Sequence, residues 1–377
     1  MSADEPDDID RAWWKESFVY QIYPQSFNDS DGDGVGDIQG IIDRLDYLDD
    51  LGVEIVWVNP LYDSPHVDNG YDIRDYRSIL AEYGTMSDFD ELLAEMHDRD
   101  MRLIMDLVVN HTSDEHVWFQ KSRQREDPYT DYYWWHDGDG SEPPNNWTSG
   151  FGGSAWEYDE AREQYYLHLF DEKQPDLNWE NEAVREEVYE MINWWLEKGI
   201  DGFRMDVFNL ISKPTDLPDG DEEEGGSARA VRERPEGARL RRRDGRGDVR
   251  RLRRDDRRRG DRRRRRGRKT VLRHQRGRPE HAVSLRARPA GFRRRRGWWK
   301  VDPWELDDLR EILSKWQREL DGDDAWNTVF LGTHDWPRIV SRWGDDGQYR
   351  RESAKLLATL LFSLQGTPSS FRATRSG

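Results

Sequence analysis

The chain predicts an α/β fold, a (β/α)8 TIM barrel that is incomplete here and carries an inserted subdomain after its third strand. Stretches of strand periodicity alternate with stretches of helical spacing, the pattern of a parallel sheet with crossover helices. Polar residues cluster just after strands, at Asn110-His111, Asp206 and His334-Asp335, as on the functional face of such a barrel. The pattern breaks from Gly225 to Arg296. There 30 Arg and one Lys stand against eight Asp and Glu, with almost no apolar residues.

The elements follow in order. FVYQIYP (Phe18–Pro24) alternates and reads as a strand. IIDRLDYLDDLG (Ile41–Gly52) has helical spacing and a glycine stop. EIVWVNP (Glu54–Pro60) is a buried-type strand, and DFDELLAEMHDRD (Asp88–Asp100) an amphipathic helix. MRLIMDLVVNH (Met101–His111) is a strand ending in polar groups. From Thr112 to Asp176 the chain is aromatic and rich in Gly, Asn and Pro, with one alternating run at Gln164–Phe170. Ala183–Gly199 is a helix and Gly202–Phe208 a strand. After the arginine-rich stretch come a helix around Leu306–Leu320, a strand at Asn327–Leu331 and a helix at Gln348–Leu364. The barrel thus occupies 1–111, 177–224 and 297–367, the inserted subdomain 112–176, the arginine-rich stretch 225–296 and a short tail 368–377.

A length of 377 residues suits one large domain or two to three ordinary ones. The absence of cysteine excludes disulfide frameworks, thiolate zinc sites and cysteine nucleophiles. The acidic start, MSADEPDDID, lacks the basic and apolar regions of a secretory signal. No run of about 18 apolar residues suggests a membrane span. Only 35% of residues are hydrophobic, but 18 Trp, 15 Tyr and 12 Phe can supply a core. The expectation is a soluble, acidic, cytoplasmic protein. Net charge is −19 overall and more negative still outside the arginine-rich stretch. That excess fits a halophilic, high-salt cytoplasm, with an ordinary acidic bacterial protein as the alternative.

Three readings of 225–296 compete. A basic segment that binds nucleic acid would have aromatic platforms, which this one lacks. A disordered insertion is the second reading. The favoured third is a frameshift, since GC-rich DNA read in the wrong phase yields arginine codons.

DSDGDGVGD (Asp29–Asp37) sets Asp29, Asp31, Asp33 and Asp37 at alternating positions with glycines between, and Val35 can offer its carbonyl. Oxygen ligands on a tightly wound loop suit a hard cation. Ca2+ is expected, with Mg2+ possible, in a structural role; a solvated acidic turn is the plainer alternative.

Asp206 follows Arg204 at a strand end, and a neighbouring cation favours the ionised carboxylate a nucleophile or charge stabiliser needs. His111 and His334-Asp335 sit at other strand ends. Carboxylates flanking a substrate among many aromatic rings suggest glycoside chemistry; cation binding by the rings is a weaker alternative.

Several strings make the chain resemble the α-amylase family, glycoside hydrolase family 13, in its oligo-1,6-glucosidase branch. They are WWKESFVYQIYPQSF (Trp13–Phe27), DGDGVGDIQGI (Asp31–Ile41), DNGYDIRDY (Asp68–Tyr76), MDLVVNHTSDEH (Met105–His116), FGGSAWEYD (Phe151–Asp159), YYLHLFDEKQPDLNWEN (Tyr165–Asn181), GFRMDVFNLISK (Gly202–Lys213) and FLGTHDWPRIVSR (Phe330–Arg342). The resemblance implies a retaining α-glucosidase acting on oligosaccharides. Asp206 would be the nucleophile and Asp335 the stabiliser of the oxocarbenium-like state. Asp68, Tyr71, His111, Arg204 and His334 would line the glucose site, with Phe151, Phe170 and Gln174 beside it. Val207 after the nucleophile goes with α-1,6 preference in the family. Thr333 stands where the family usually has Asn. Trehalose-6-phosphate hydrolases and glucosyl-transferring synthases share the same strings and remain alternatives, as does a non-catalytic relative. No nucleic acid or membrane partner is expected, and the oligomeric state stays open.

The family's acid/base glutamate, on a strand reading like VMTVGE, is missing. A one-base shift of LRRDDRRR (Leu252–Arg259) permits YDVMTVGE, which would put Arg259 where that glutamate belongs. A shift the other way after Thr367 permits FIFQGDEIG. On this reading five strands remain readable, the eighth strand and the C-terminal β-domain are absent, and the chain as written has little or no activity.

Overall fold

The computed structural model describes residues 13–220, 306–319 and 326–371. The arginine-rich stretch 225–296, the frameshift reading placed on it and Arg259 lie outside the described residues, as do 372–377 of the tail.

A short helix α1 (Trp13–Glu16) leads into β1 (Val19–Ile22). The single helix expected over Ile41–Gly52 is instead two, α2 (Ile38–Ile42) and α3 (Leu45–Asp50). Asp37 caps the first by accepting the Gly40 N–H, and Arg44, with φ −110° and ψ 6°, interrupts the run. Then come β2 (Ile55–Val58), a small antiparallel ribbon of β3 (Tyr62–Asp63) and β4 (Asp75–Ile79), α4 (Met86–Asp98) and β5 (Arg102–Val108). Thr85 and Asp88 start α4 with a reciprocal capping box.

Residues after β5 form α5 (Val117–Arg123) and a three-stranded antiparallel sheet of β6 (Trp135–Asp137), β7 (Trp156–Asp159) and β8 (Gln164–Leu167), in the order β6-β8-β7. Its apolar cluster of Trp147, Trp156, Tyr165, Leu167 and Leu169 includes Leu210 from the segment after β9 and touches Val207. The chain returns through α6 (Glu182–Lys198), capped by Asn181 and ended by Gly199 at φ 125°, to β9 (Gly202–Asp206). Beyond the undescribed stretch lie α7 (Leu306–Glu319), β10 (Thr328–Val329), α8 (Ile339–Trp343), α9 (Arg350–Ser363) and β11 (Thr367–Phe371).

Six strands form one sheet in the order β10-β11-β1-β2-β5-β9, with every pair parallel. This is most of an α/β barrel wall. One expectation needs correcting. A strand does occupy the eighth position: β11 pairs Val19 with Ser369 and Thr328 with Thr367. Pro368 argues against a strand by sequence. The ladder forms because its bonds are backbone bonds and its start is anchored. The Thr367 hydroxyl donates to the Trp14 carbonyl and accepts from the Trp326 ring N–H.

Side-chain alternation divides the strands' residues between two environments. Tyr20, Ile22, Val56, Val58, Leu103, Met105, Leu107 and Phe203 join the main core with α4 and α6. On the other face Val19, Ile55, Trp57 and Ile104 make a separate apolar layer. Farther along the same face stand Gln21, Asp106, Arg204 and Asp206. The inner face therefore passes from apolar at its base to polar at the carboxyl ends of the strands. No helix among the described residues is long and apolar enough to cross a membrane.

Candidate active site

Register builds the centre. Asp106 on β5 lies opposite Arg204 on β9, and Val108 opposite Asp206. Arg204 Nη1 donates to Asp106 Oδ1 at 2.7 Å and to Asp206 Oδ1 at 2.6 Å. Burial opposes the Arg204 charge, but Asp106 and Asp206 together hold the guanidinium well above its ordinary range. Its plane lies 4.9 Å over the Trp57 ring. Asp106 has no solvent access and also accepts from Trp57 Nε1 and the Tyr71 hydroxyl, each at 3.0 Å. Burial pushes the Asp106 carboxyl up, and Arg204 pulls it back. Sequence reasoning did not single out Asp106. A carboxylate inside the apolar run LIMDLVV was the available signal, since a charge there must be partnered.

β9 and β10 are the two edges of the described sheet, yet side chains from both ends meet. His334, after β10, stacks on Tyr71 with ring centroids 5.4 Å apart and planes 7° from parallel. Its Nε2 lies 2.9 Å from the Tyr71 oxygen, and its Nδ1 2.7 Å from Gln21 Nε2. Gln21 also donates to Asn59 Oδ1, and Asn59 Nδ2 donates to the Tyr71 oxygen, both at 2.8 Å. Tyr71 gives its proton to Asp106, so each donor has an acceptor when His334 is neutral with its proton on Nε2. Burial lowers the His334 pKa in the same sense, against the pull of Asp335. Gln21 and Asn59 were likewise not anticipated.

A second arm comes from β5's end and the loop after β8. Gln174 Nε2 lies 2.9 Å from Asp68 Oδ2 and 3.2 Å from His111 Nε2. Burial raises the Asp68 carboxyl to about 7, against the Gln174 hydrogen bond. His111 is buried, which lowers its pKa, and stands 5.1 Å from the Phe170 ring. Beneath it, Lys213 and Asp176 form a fully buried ion pair at 2.7 Å, and Lys213 also donates to Asn110 Oδ1 at 2.9 Å.

The remaining expected residues are more open. Phe151 is 61% exposed, edge-on to Phe170 at 5.9 Å. Val207 carries φ +29°, an unusual backbone for a β-branched residue. The Asp335 side chain is 62% exposed and lies 3.3 Å from His334 Nε2. Asp206 and Asp335 both add, after burial, to the raised pKa values of Asp68 and Tyr71, so each carboxylate is felt by the same two groups.

The acidic loop gathers three of its expected groups. Carboxylate oxygens of Asp29, Asp31 and Asp37 lie within 4.8 Å of one another. Asp33 is not among them; its Oδ1 accepts the Val35 N–H at 2.7 Å. Asp29 accepts the N–H groups of Gly34 and Gly32, which lower its carboxyl below the usual range. Both glycines have φ near +90°, so the turn tightens around that carboxylate. The all-oxygen donor set fits a hard divalent cation.

Comparison with known proteins gives the family. The oligo-1,6-glucosidase of Parageobacillus thermoglucosidasius is 51% identical over 381 residues, covering 98% of this chain and 66% of that protein. The chain thus spans slightly under two thirds of that relative's length. Trehalose-6-phosphate hydrolase of Bacillus licheniformis superposes with a TM-score of 0.83 at 44% identity, covering 97% of this chain and 65% of that one. Isomaltulose synthase of Erwinia rhapontici, solved with its natural substrate sucrose, gives 0.84 at 38% identity, covering 97% and 65%. The α-amylase catalytic-domain model matches residues 21–373, taking in every strand end described above, and the chain belongs to that family.

Proposed function

We propose that this site removes terminal α-linked glucose from short oligosaccharides by a retaining double displacement, with α-1,6 linkages preferred. The observation that carries the reading is Asp206, a strand-end carboxylate tied to Arg204 beside a pocket of partnered polar groups. Asp206 attacks the anomeric carbon from one face of the ring. Asp335 stabilises the developing positive charge, and Asp68, Tyr71, His111, Gln174 and His334 hold the glucose hydroxyls. Phe151 and Phe170 offer ring faces to the neighbouring sugar. Val207 shapes the space for the departing group, which sets linkage preference. In retaining enzymes the proton donor lies about 5 Å from the nucleophile. Its place is expected at 259, where this chain has arginine.

The direct test compares this chain with a version whose reading frame is restored across 225–296. Isomaltose, maltose, trehalose 6-phosphate and sucrose are offered to both. The restored enzyme is expected to release α-glucose fastest from isomaltose, and this chain to be slower by about 10²–10⁴-fold, the typical share of general acid catalysis. Normal turnover by the 377-residue chain, or indifference of the restored one to every α-glucoside, refutes the reading. Preference for the phosphorylated disaccharide would favour the second reading, which the likeness to the trehalose-6-phosphate hydrolase supports.

Three finer assignments accompany this function. Ca2+ is the cation suited to Asp29, Asp31 and Asp37, in a structural role. The acidic surface suits a salt-rich cytoplasm, tested by loss of the fold in low-salt buffer. The substrate class is an uncharged or singly phosphorylated oligosaccharide.

A further inference from the structure

Asp72 is fully buried and meets the side chain of no glucose-pocket residue through a hydrogen bond, yet its carboxylate organises the backbone of the loop that carries two of them, Asp68 and Tyr71. Its Oδ1 accepts the Ser64 hydroxyl and the Asp68 N–H, both at 3.0 Å, and its Oδ2 accepts the Val67 N–H at 2.9 Å. The Ser64 oxygen in turn accepts the His66 N–H at 3.0 Å. Residues 64–68 are therefore wound around one carboxylate. The same segment holds His66 at φ +65°, Asn69 at +49° and Gly70 at +96°. Left-handed backbone at His66 and Asn69 is unfavourable on its own and persists only when its surroundings fix it. The loop closes with the Tyr71 N–H donating to the Asp68 carbonyl at 3.0 Å. Asp68 then meets Gln174, and Tyr71 meets Asp106, Asn59 and His334.

We propose that Asp72 is a positioning residue for glucose binding: it sets the backbone from Ser64 to Tyr71 so that Asp68 and Tyr71 face the sugar together, and its negative charge acts on Asp68. This rests on the glucose-pocket reading above. Three donors converging on one carboxylate give a geometry no single amide or hydroxyl side chain can accept in full. Asp68 is faced by Gln174, Asp72, Asp206, Asp335 and Tyr23, and Gln174 in turn meets His111. Among these Asp72 is the carboxylate on its own loop, and it raises the Asp68 pKa after burial and against Gln174.

The test uses the full 377-residue chain and methyl α-D-glucopyranoside, a neutral probe, with binding followed by NMR titration across pH. The unsubstituted chain is expected to bind with a pH midpoint near the Asp68 value of about 7. Asp72→Asn is expected to weaken binding by about tenfold or more, since small misplacements of binding groups are costly. It is also expected to move the midpoint to lower pH, because a like charge beside Asp68 is gone. A purely structural role would weaken binding and leave the midpoint where it was, which overturns the electrostatic half of the proposal. Unchanged affinity in Asp72→Asn, with the unsubstituted chain binding normally, overturns the whole of it and leaves the proposed function standing. No binding by the unsubstituted chain brings down the glucose-pocket reading and this proposal with it. If Asp72→Asn does not fold, Ser64→Ala removes one donor without a charge change. A measurable loss of affinity at an unmoved midpoint then supports positioning, and undiminished affinity overturns it.

Discussion

Arg204 reaches two carboxylates through one nitrogen, with Nη1 2.7 Å from Asp106 and 2.6 Å from Asp206. The two aspartates are not alike. Asp106 has no solvent access and takes two further donors from Trp57 and Tyr71. Asp206 sits at the strand end with a small part of its side chain exposed. Arg204 is therefore anchored from below and presented to Asp206 above.

That asymmetry gives a stability prediction. Asp106→Ala takes from the part-buried Arg204 its buried partner and leaves two buried donors, Trp57 Nε1 and the Tyr71 hydroxyl, without their acceptor, and is expected to cost about 3 kcal/mol. Asp206→Asn keeps an acceptor at the rim and is expected to cost about 1 kcal/mol or less. Urea unfolding of the two variants checks the order. Equal losses would mean that Arg204 is not anchored by Asp106.

A pH prediction follows from Asp68, whose carboxyl burial raises from 3.8 to about 7. The unfolded chain ionises this group first as pH rises, so the folded state binds more protons between those values. Its contribution to stability is fully present below pH 3.8 and is lost as pH rises through about 7. Asp68→Asn cannot ionise and removes this slope. The stability of the variant relative to the parent is expected to climb across that window, as read from denaturant midpoints at successive pH values. A flat difference would show that Asp68 titrates normally in the fold.

How much of this was legible in the sequence depended on whether the signal was local. β2, β5, α4, α6 and β9 follow from periodicity, caps and stops that lie within each segment. His111 and Asp206 were visible because a polar residue ending an apolar strand is conspicuous. Asp106 and Asp72 needed partners 98 and 4 residues away to acquire meaning, and only the folded register supplies the former. β11 was missed because the residues after Thr367 read as out of frame, and Pro368 with two serines carries no strand pattern to oppose that; its neighbours β1 and β10 hold the strand through backbone pairing. Asp33 belonged to the metal pattern by spacing, which does not report the turn geometry that leaves it outside the group of Asp29, Asp31 and Asp37.

The acidic loop makes a prediction about cation removal. Three carboxylates within 4.8 Å repel one another unless a cation sits among them. Calcium is expected to raise the melting temperature and EDTA to lower it, with Mg2+ giving a smaller rise. Asp31→Asn should blunt the calcium response, whereas Asp33→Asn should leave most of it, since Asp31 and not Asp33 is one of the three clustered carboxylates. An equal loss from both substitutions would show that the loop rearranges to use all of its carboxylates, and no calcium response at all would remove the cation from the account.

The last prediction concerns the leaving group. If the proton donor is missing while Asp206, Arg204 and the glucose pocket are intact, the defect falls on departure of a poor leaving group, because an alkoxide must be protonated as it leaves. A fluoride or a nitrophenolate leaves without that help. The 377-residue chain is therefore expected to form a glucosyl-enzyme from α-glucosyl fluoride or p-nitrophenyl α-glucoside far faster than from isomaltose. Added azide, which needs no general base, should then speed turnover and yield a glucosyl azide of inverted configuration relative to the intermediate. Asp206→Ala should abolish both steps. Equal sluggishness toward activated and unactivated glucosides would place the fault in the pocket or the nucleophile instead, and would set aside the view that this chain lacks its acid alone.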